Sequence, residues 1–412
     1  MGQIILSSTV NMKKLFSVIT LLLLFVQLLP AQAAIASRQR PLSELTAQQK
    51  ETYGRFLKDH WQSPEQYVVS KFADHDIVLL GEWHRIDHDV KFVQNLVPLL
   101  YKSGVYNLGI EFGAYDFQPK VDALITGQEY DEQLARKLLF DWRYDWGYEE
   151  YEDIYRTAWK LNHSLPAGSP KFRVVNLKTL VHHDLIRRHS QMTKSDWQAA
   201  EPEGDEDKFM AAVIQREFLD KNQKALIYSG MHHAFTSYQQ PIYLFDKKLL
   251  YKLNSSRMGN LVYAKIKDRA FNILLHCPWG PDDAEESEDN QIYPACGIID
   301  ALMPTVGNKP VGFDLKNSPF GEIKDEHCYY AIGHEGFKLS DLYDGYIYQK
   351  PLADYRGCTV DTRFIDISNF SQLSADLSYD PTYQAKIKTP ADMTADMKRM
   401  ANIHERMRVF WK

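Results

Sequence analysis

The chain has 412 residues, long enough for one large α/β domain with insertions or for two smaller ones, and its 44% hydrophobic and 25% charged residues are those of an ordinary globular protein. Its formal charge is −6. Setting aside Lys13 and Lys14 with the leader described next leaves 46 basic against 54 acidic residues, a balance of −8 that argues against nucleic acid as a partner.

The first segment in chain order reads as a leader. Met12-Lys13-Lys14 precedes an apolar stretch from Leu15 to Leu29, then Pro30 and the small-residue pattern Ala31-Gln32-Ala33-Ala34. This is the charged, apolar and cleavage-site order of a secretory signal peptide, residues 1–33, cut near Ala33. The alternative, an uncleaved anchor, fits less well. The stretch is shorter than the ~20 residues a spanning helix needs, and it carries Ser17, Thr20 and Gln27. Translation starting at Met12 would make residues 1–11 no part of the protein. The mature chain, residues 34–412, is expected to be exported to the periplasm or secreted, as one domain with insertions and no stable transmembrane segment. No cysteine lies beside the cleavage site to carry a lipid. Cys277, Cys296, Cys328 and Cys358 are even in number, which in an exported protein fits one or two disulfides, and the absence of Cys-x-x-Cys disfavours a zinc ribbon.

Thr46-Ala47-Gln48-Gln49 has the form of a helix capping box. Asp76-Ile77-Val78-Leu79-Leu80 reads as a buried strand ending in Gly81-Glu82-Trp83-His84. Val93, Leu96, Val97 and Leu100 follow with the spacing of one helix face, and Pro98 predicts a kink or an early stop there. Asn107-Leu108-Gly109-Ile110, ending in Glu111, then completes a β-α-β unit with parallel strands.

Residues 115–165 read as a helical, aromatic-rich insertion. Tyr148, Tyr151, Tyr155 and Trp159 recur at steps of three and four, so they line one side of a helix. That stripe either faces the core or walls a ligand. Phe172-Arg173-Val174-Val175 is the next strand, ending in Asn176, followed by a helix bearing His182, His183 and His189. Two acidic runs, residues 201–207 and 282–289, read as solvated loops. A helix is expected over Phe209–Leu219, then a strand Lys224-Ala225-Leu226-Ile227-Tyr228 ending in Gly230-Met231-His232-His233. Leu261-Val262-Tyr263, Phe271–Leu275 and Tyr346-Ile347-Tyr348 suggest further strands. The fold class is therefore α/β, a central parallel or mixed sheet flanked by helices.

Ligands gather at the carboxyl ends of parallel strands, and a glycine there lets the following side chains project over the sheet edge. Glu82 and His84 would flank one pocket, with His88 four residues on; Glu111 would arrive from the neighbouring strand and His232 and His233 from a more distant one. Imidazole and carboxylate serve as ligands of a divalent metal or as a general base with its orienting partner, and spacing does not choose between these. Singly, each group has a structural reading: a histidine capping a strand, or Glu111 pairing with Arg173. His276 is a candidate outer-shell group. The chain has no Gly-x-Ser-x-Gly elbow, phosphate loop or His-Glu-x-x-His helix, so serine hydrolase, nucleotide-binding and zincin readings lack their signatures.

Gly81-Glu82-Trp83-His84-Arg85-Ile86-Asp87-His88, with Gln94 six residues later, a strand ending in Glu111 and the late Gly230-Met231-His232-His233-Ala234, resembles the superfamily of erythromycin esterases, ChaN-like haem-binding proteins and the Tiki/TraB group. The spacing of His84, His88 and Gln94 is most similar to the ChaN branch, and the likeness covers roughly Ile77 to Phe235. The resemblance implies a pocket built on Glu82, His84, Glu111 and His233. In a Tiki-like branch it implies that those four positions hold a metal for peptide hydrolysis; the candidate metal ligands are His84, Glu111 and His233, with His88 and His232 as supporting groups. In the esterase branch it implies a histidine activating water against an ester, and in the ChaN branch haem or iron uptake, with Tyr148, Tyr151 and Trp159 stacking on the haem. The leading expectation is a hydrolase of a small-molecule or peptide substrate; the alternative is a non-catalytic haem or metal-chelate binder.

Overall fold

Alternation within the first strand, β1 (Ile77–Glu82), sets the layers of the protein. Val78 and Leu80 face one apolar cluster and Ile77 and Leu79 the other, all fully buried, so both faces of the sheet must be covered. The coordinates are a computed structural model that describes residues 44–410 except 181, 183–184, 186–192, 201–203, 288–289 and 377–384. The expected leader, His183, His189 and parts of both acidic runs lie outside the described residues.

Helix α1 (Ala47–Asp59) begins at the expected capping box: Thr46 Oγ1 accepts from the Gln49 N–H at 3.2 Å, and Gln49 Oε1 accepts from the Thr46 N–H at 2.9 Å. After α2 (Pro64–Lys71) and β1 comes α3 (Asp87–Lys102), which buries Val90, Val93, Leu96, Val97 and Leu100 against the sheet. Pro98 neither stops nor shortens this helix. One lost backbone bond is outweighed by the apolar face on both sides of it.

Strand β2 (Asn107–Ala114) leads into the insertion, made of α4 (Gln118–Thr126), α5 (Glu132–Trp142) and α6 (Glu149–Ser164). Then come β3 (Arg173–Lys178), α7 (Glu206–Glu217) and β4 (Ala225–Gly230). A separate antiparallel hairpin, β5 (Gln240–Leu244) with β6 (Leu249–Asn254), precedes α8 (Met258–Ile266), and β7 (Ala270–Leu275), β8 (Val311–Asp314) and β9 (Gly345–Tyr348) complete the sheet. Near the end of the chain, α9 (Pro390–Met400) buries Met393 and Met397 in the cluster beneath the insertion.

The seven strands run in the order β3-β2-β4-β1-β7-β9-β8, parallel except for the β8–β9 pair. The α/β class with a mostly parallel sheet is as read from the sequence. Two details differ. Leu261-Val262-Tyr263 lies inside α8, because a three-residue apolar run carries no period and here Met258 and Val262 share a buried helix face. And β4, not β2, is the neighbour of β1, so the Gly230 turn sits directly beside the Gly81 turn and Glu111 one strand further out.

All four cysteines are thiols, so the expected disulfides are not formed. Cys277, Cys328 and Cys358 are buried as small apolar side chains. Among the described residues no helix is long and apolar enough to cross a membrane.

Candidate functional site

Parallel register fixes the heights of the candidate groups. Glu82 is paired with Gly230, Leu80 with Tyr228, and Tyr228 in turn with Ile110, so Glu82, Glu111 and the Gly230 turn share one level at the carboxyl edge. Strand β2 is irregular between Ile110 and Ala114, the stretch that contains Glu111. Gly113 permits this irregularity: its φ is +155°, and a Cβ there would collide with the Asn176 amide.

Glu82 is 1% exposed and accepts hydrogen bonds on both oxygens. Tyr151 Oη donates to Oε1 at 2.7 Å, and Tyr228 Oη donates to Oε2. The remaining donor is His84, whose Nδ1 lies 2.8 Å from Glu82 Oε1. A buried carboxylate there selects the tautomer with the proton on Nδ1, leaving the Nε2 lone pair for other work. The imidazole stands edge-on to Phe112 and Trp146, with centroids 5.6 and 5.4 Å away, and its side chain is 35% exposed. Its Nε2 side passes over Gly230, where an added Cβ would come within 3.1 Å of Nε2, 2.7 Å of Cε1 and 3.4 Å of Glu111 Oε2. Only glycine leaves that space open.

Glu111 Oε2 accepts from the Gly230 N–H at 2.7 Å. Its Oε1 lies 3.3 Å from His233 Nε2 and 3.4 Å from Lys178 Nζ. Burial opposes ionisation, yet His233 and Lys178 hold this carboxyl well below the usual range. On its far side His233 is bound through Nδ1 to Asp207 Oδ1 at 2.6 Å; Asp207 is itself fixed by the Met258 N–H at 2.7 Å and Arg257 Nη1 at 3.0 Å. Burial alone would depress His233, but Glu111 and Asp207 raise its pKa to about 9, so the ring is an imidazolium at neutral pH.

The structure thus brings Glu82, His84, Glu111 and His233 to one mouth. It does not bring His88 or His232 with them. His88 lies on the β7 side of β1, with its ring edge 4.5 Å from Tyr355 and its nitrogens 3.5 Å from Asp87 and Asp89. His232 Nε2 is 3.0 Å from the Tyr330 hydroxyl; burial first, then Arg257 and His233, lower its pKa to about 3. His276 is buried between the Tyr346 hydroxyl and Asp300, 2.6 and 3.1 Å away.

Among the described residues no group of three or more His, Cys, Asp or Glu side chains is arranged to hold a metal ion.

The aromatic stripe faces the core. Tyr148 and Tyr151 are at most 1% exposed, Tyr151 holds Glu82, and Tyr148 Oη donates to Met397 O at 3.1 Å. Trp159 Nε1 donates to Gly127 O at 2.9 Å, away from the mouth. The two tyrosine rings are core, whereas Trp159 is only partly buried and stacks on His163 with centroids 5.1 Å apart. Nor does Glu111 pair with Arg173, which binds Glu217 and Asp122 instead.

Lys178 and Asp207 belong to the site without having been singled out from the sequence. Lys178 sits two residues past Asn176, at the end of β3, and Asp207 was absorbed into an acidic run read as solvated. The only available signal was position, a strand end and the first turn of a helix.

Fold and site together define an α/β protein with a histidine–carboxylate centre at the carboxyl ends of parallel strands. Residues 68–177 match a family described as haem-binding uptake, Tiki superfamily, ChaN, and over that segment the chain is similar to that family. No curated protein matches the chain. Among solved structures it is similar to a protein from Bacillus cereus (12% identity, TM-score 0.48, covering 77% of this chain and 100% of that one) and to a succinoglycan biosynthesis protein (12%, 0.44, 71% and 91%). A structure of cofacial haem binding to ChaN of Campylobacter jejuni is 14% identical, with a TM-score of 0.32, over 50% of this chain and 84% of its own.

Proposed function

We propose that this protein is an exported hydrolase of an ester or peptide bond, with His84 as general base. The observation that carries the reading is the different setting of two imidazoles at one strand edge. His84 turns Nδ1 to buried Glu82 and leaves Nε2 open to accept a proton, while His233 is held as an imidazolium by Glu111 and Asp207. A ring nitrogen open to accept and a second ring that carries a proton supply a base and an acid at one site. His84 Nε2 takes a proton from water as the water oxygen attacks the carbonyl. Lys178 and His233 supply positive charge for the developing oxyanion, and His233 gives its Nε2 proton to the departing alkoxide or amine. The products are an acid and an alcohol or amine. Export rests on the leader-like residues 12–34.

Hydrolysis of a panel of esters and peptides tests this. His84→Ala is expected to lower kcat/KM about 10²–10⁴-fold, the usual worth of a general base, and Glu82→Gln to lower it with the fold retained. Unchanged activity in both variants would overturn the reading.

A second reading is haem binding without catalysis, favoured by the description of the matching family. Here the bare Nε2 of His84 is the side chain available to iron. A Soret band that forms on haem titration and is lost in His84→Ala, with no hydrolysis by the unmodified protein, would select it.

A further inference from the structure

Two arginines, Arg85 and Arg406, lie next to His84. The Arg85 guanidinium stacks on Trp146 at 4.2 Å, the same indole that His84 meets edge-on. Arg85 is held firmly. Its backbone is in the left-handed region at φ +70°, its N–H donates to the Tyr151 hydroxyl at 3.1 Å, and its Nε donates to the Tyr148 hydroxyl at 3.0 Å. A non-glycine residue persists there only when its surroundings over-determine it, a situation concentrated at functional sites. The nearest carboxylate, Asp145, is 3.8 Å away and already bound by Arg143 through two hydrogen bonds of 2.7 and 3.3 Å.

Arg406 comes from the end of the chain. Its guanidinium lies 3.8 Å over the Trp83 ring, and Nη1 donates to His84 O at 3.0 Å. Among the described residues no carboxylate forms an ion pair with it. Burial, and then the charge of Arg85, push its pKa down to about 10, with Glu286 acting in the opposite direction. Arg85, Arg406 and Trp83, with Arg399, Gln291 and, among the described residues, the carboxylate of Glu286, line an open cleft of about 350 Å³.

Two partly dehydrated guanidinium groups facing one cleft repel each other until an anion lies between them, and their planar forks suit carboxylate and phosphate oxygens. We propose that Arg85 and Arg406 form an oxyanion-binding cleft beside the His84 centre, taking the carboxylate or phosphate group of an acidic ligand. The cleft stands on its own residues and does not depend on the hydrolytic reading, so its test measures binding alone.

Inorganic phosphate and succinate are titrated separately into the full chain at constant ionic strength, with chloride as the balancing ion, and followed by calorimetry and tryptophan fluorescence. At least one of the two is expected to bind saturably, and the tighter one tells phosphate from carboxylate. Arg406→Gln is expected to weaken that anion at least tenfold with an unchanged far-UV spectrum. Glu286→Gln, which removes the carboxylate from the cleft, is expected to tighten it. Absence of saturable binding by both anions, or equal affinity in Arg406→Gln, overturns the proposal. Should Arg406→Gln fail to fold, Glu286→Gln decides, and affinity that is unchanged or weaker in it overturns the proposal equally.

Discussion

His233 shows how a single side chain acquires its role from its neighbours. Its pKa of about 9 lies above the ~6.5 of an unperturbed imidazole. A raised folded value means that the charged ring stabilises the fold fully below about 6.5, and that this contribution is lost as the pH rises to about 9. Hydrolysis is therefore expected to fall on the alkaline side near pH 9, in step with loss of the acid. Asp207→Asn removes one of the two carboxylates that hold the proton, so the alkaline limb of the kcat/KM profile should move to lower pH. A limb that stays in place would separate His233 from the chemistry. At this scale the sequence exposed Glu82, His84, Glu111 and His233, because each follows an apolar run and lands at a strand end. Asp207 and Lys178 stayed hidden, since nothing local distinguishes a buried acid or ammonium from a solvated one.

Strands were the most legible elements. Residues 77–82, 107–114, 173–178 and 225–230 all lie where short apolar runs placed them, because strands buried on both faces need such runs. The run at 261–263 misled, for its burial is on one side of a helix. The irregularity in β2 is an element-scale device: it carries Glu111, and it depends on Gly113 beside Asn176, whose Oδ1 accepts from Tyr155 Oη at 2.8 Å. Gly113→Ala would force both the backbone and the Asn176 amide to move. A loss of about 1–3 kcal/mol in urea unfolding is expected, the usual cost of overpacking, with activity falling as Glu111 shifts. A variant as stable as the parent would show that β2 tolerates a regular pairing here.

Over the whole molecule, the end of the chain closes the structure onto its beginning. Met393 and Met397 of α9 are fully buried under the insertion, Met397 O accepts from Tyr148 Oη, and Arg406 donates to His84 O. Met397→Ala should therefore cost about 2–5 kcal/mol, as large-to-small core changes do, visible as a lowered midpoint of chemical unfolding. A change within error would mean that the C-terminal segment contributes little to the core. The sequence by itself determined the α/β class, the strands and the four polar groups at their ends, because these depend on local periodicity and on glycine placed just where chains must turn. Only the tertiary structure decided that β4 lies between β1 and β2, that Tyr148 and Tyr151 are core, that His88 packs on Tyr355 and His232 on Tyr330, and that Asp207 and Lys178 lie against His233 and Glu111. Those outcomes depend on contacts between residues far apart in the chain, and on charges whose protonation is set by burial and by partners that no local pattern encodes.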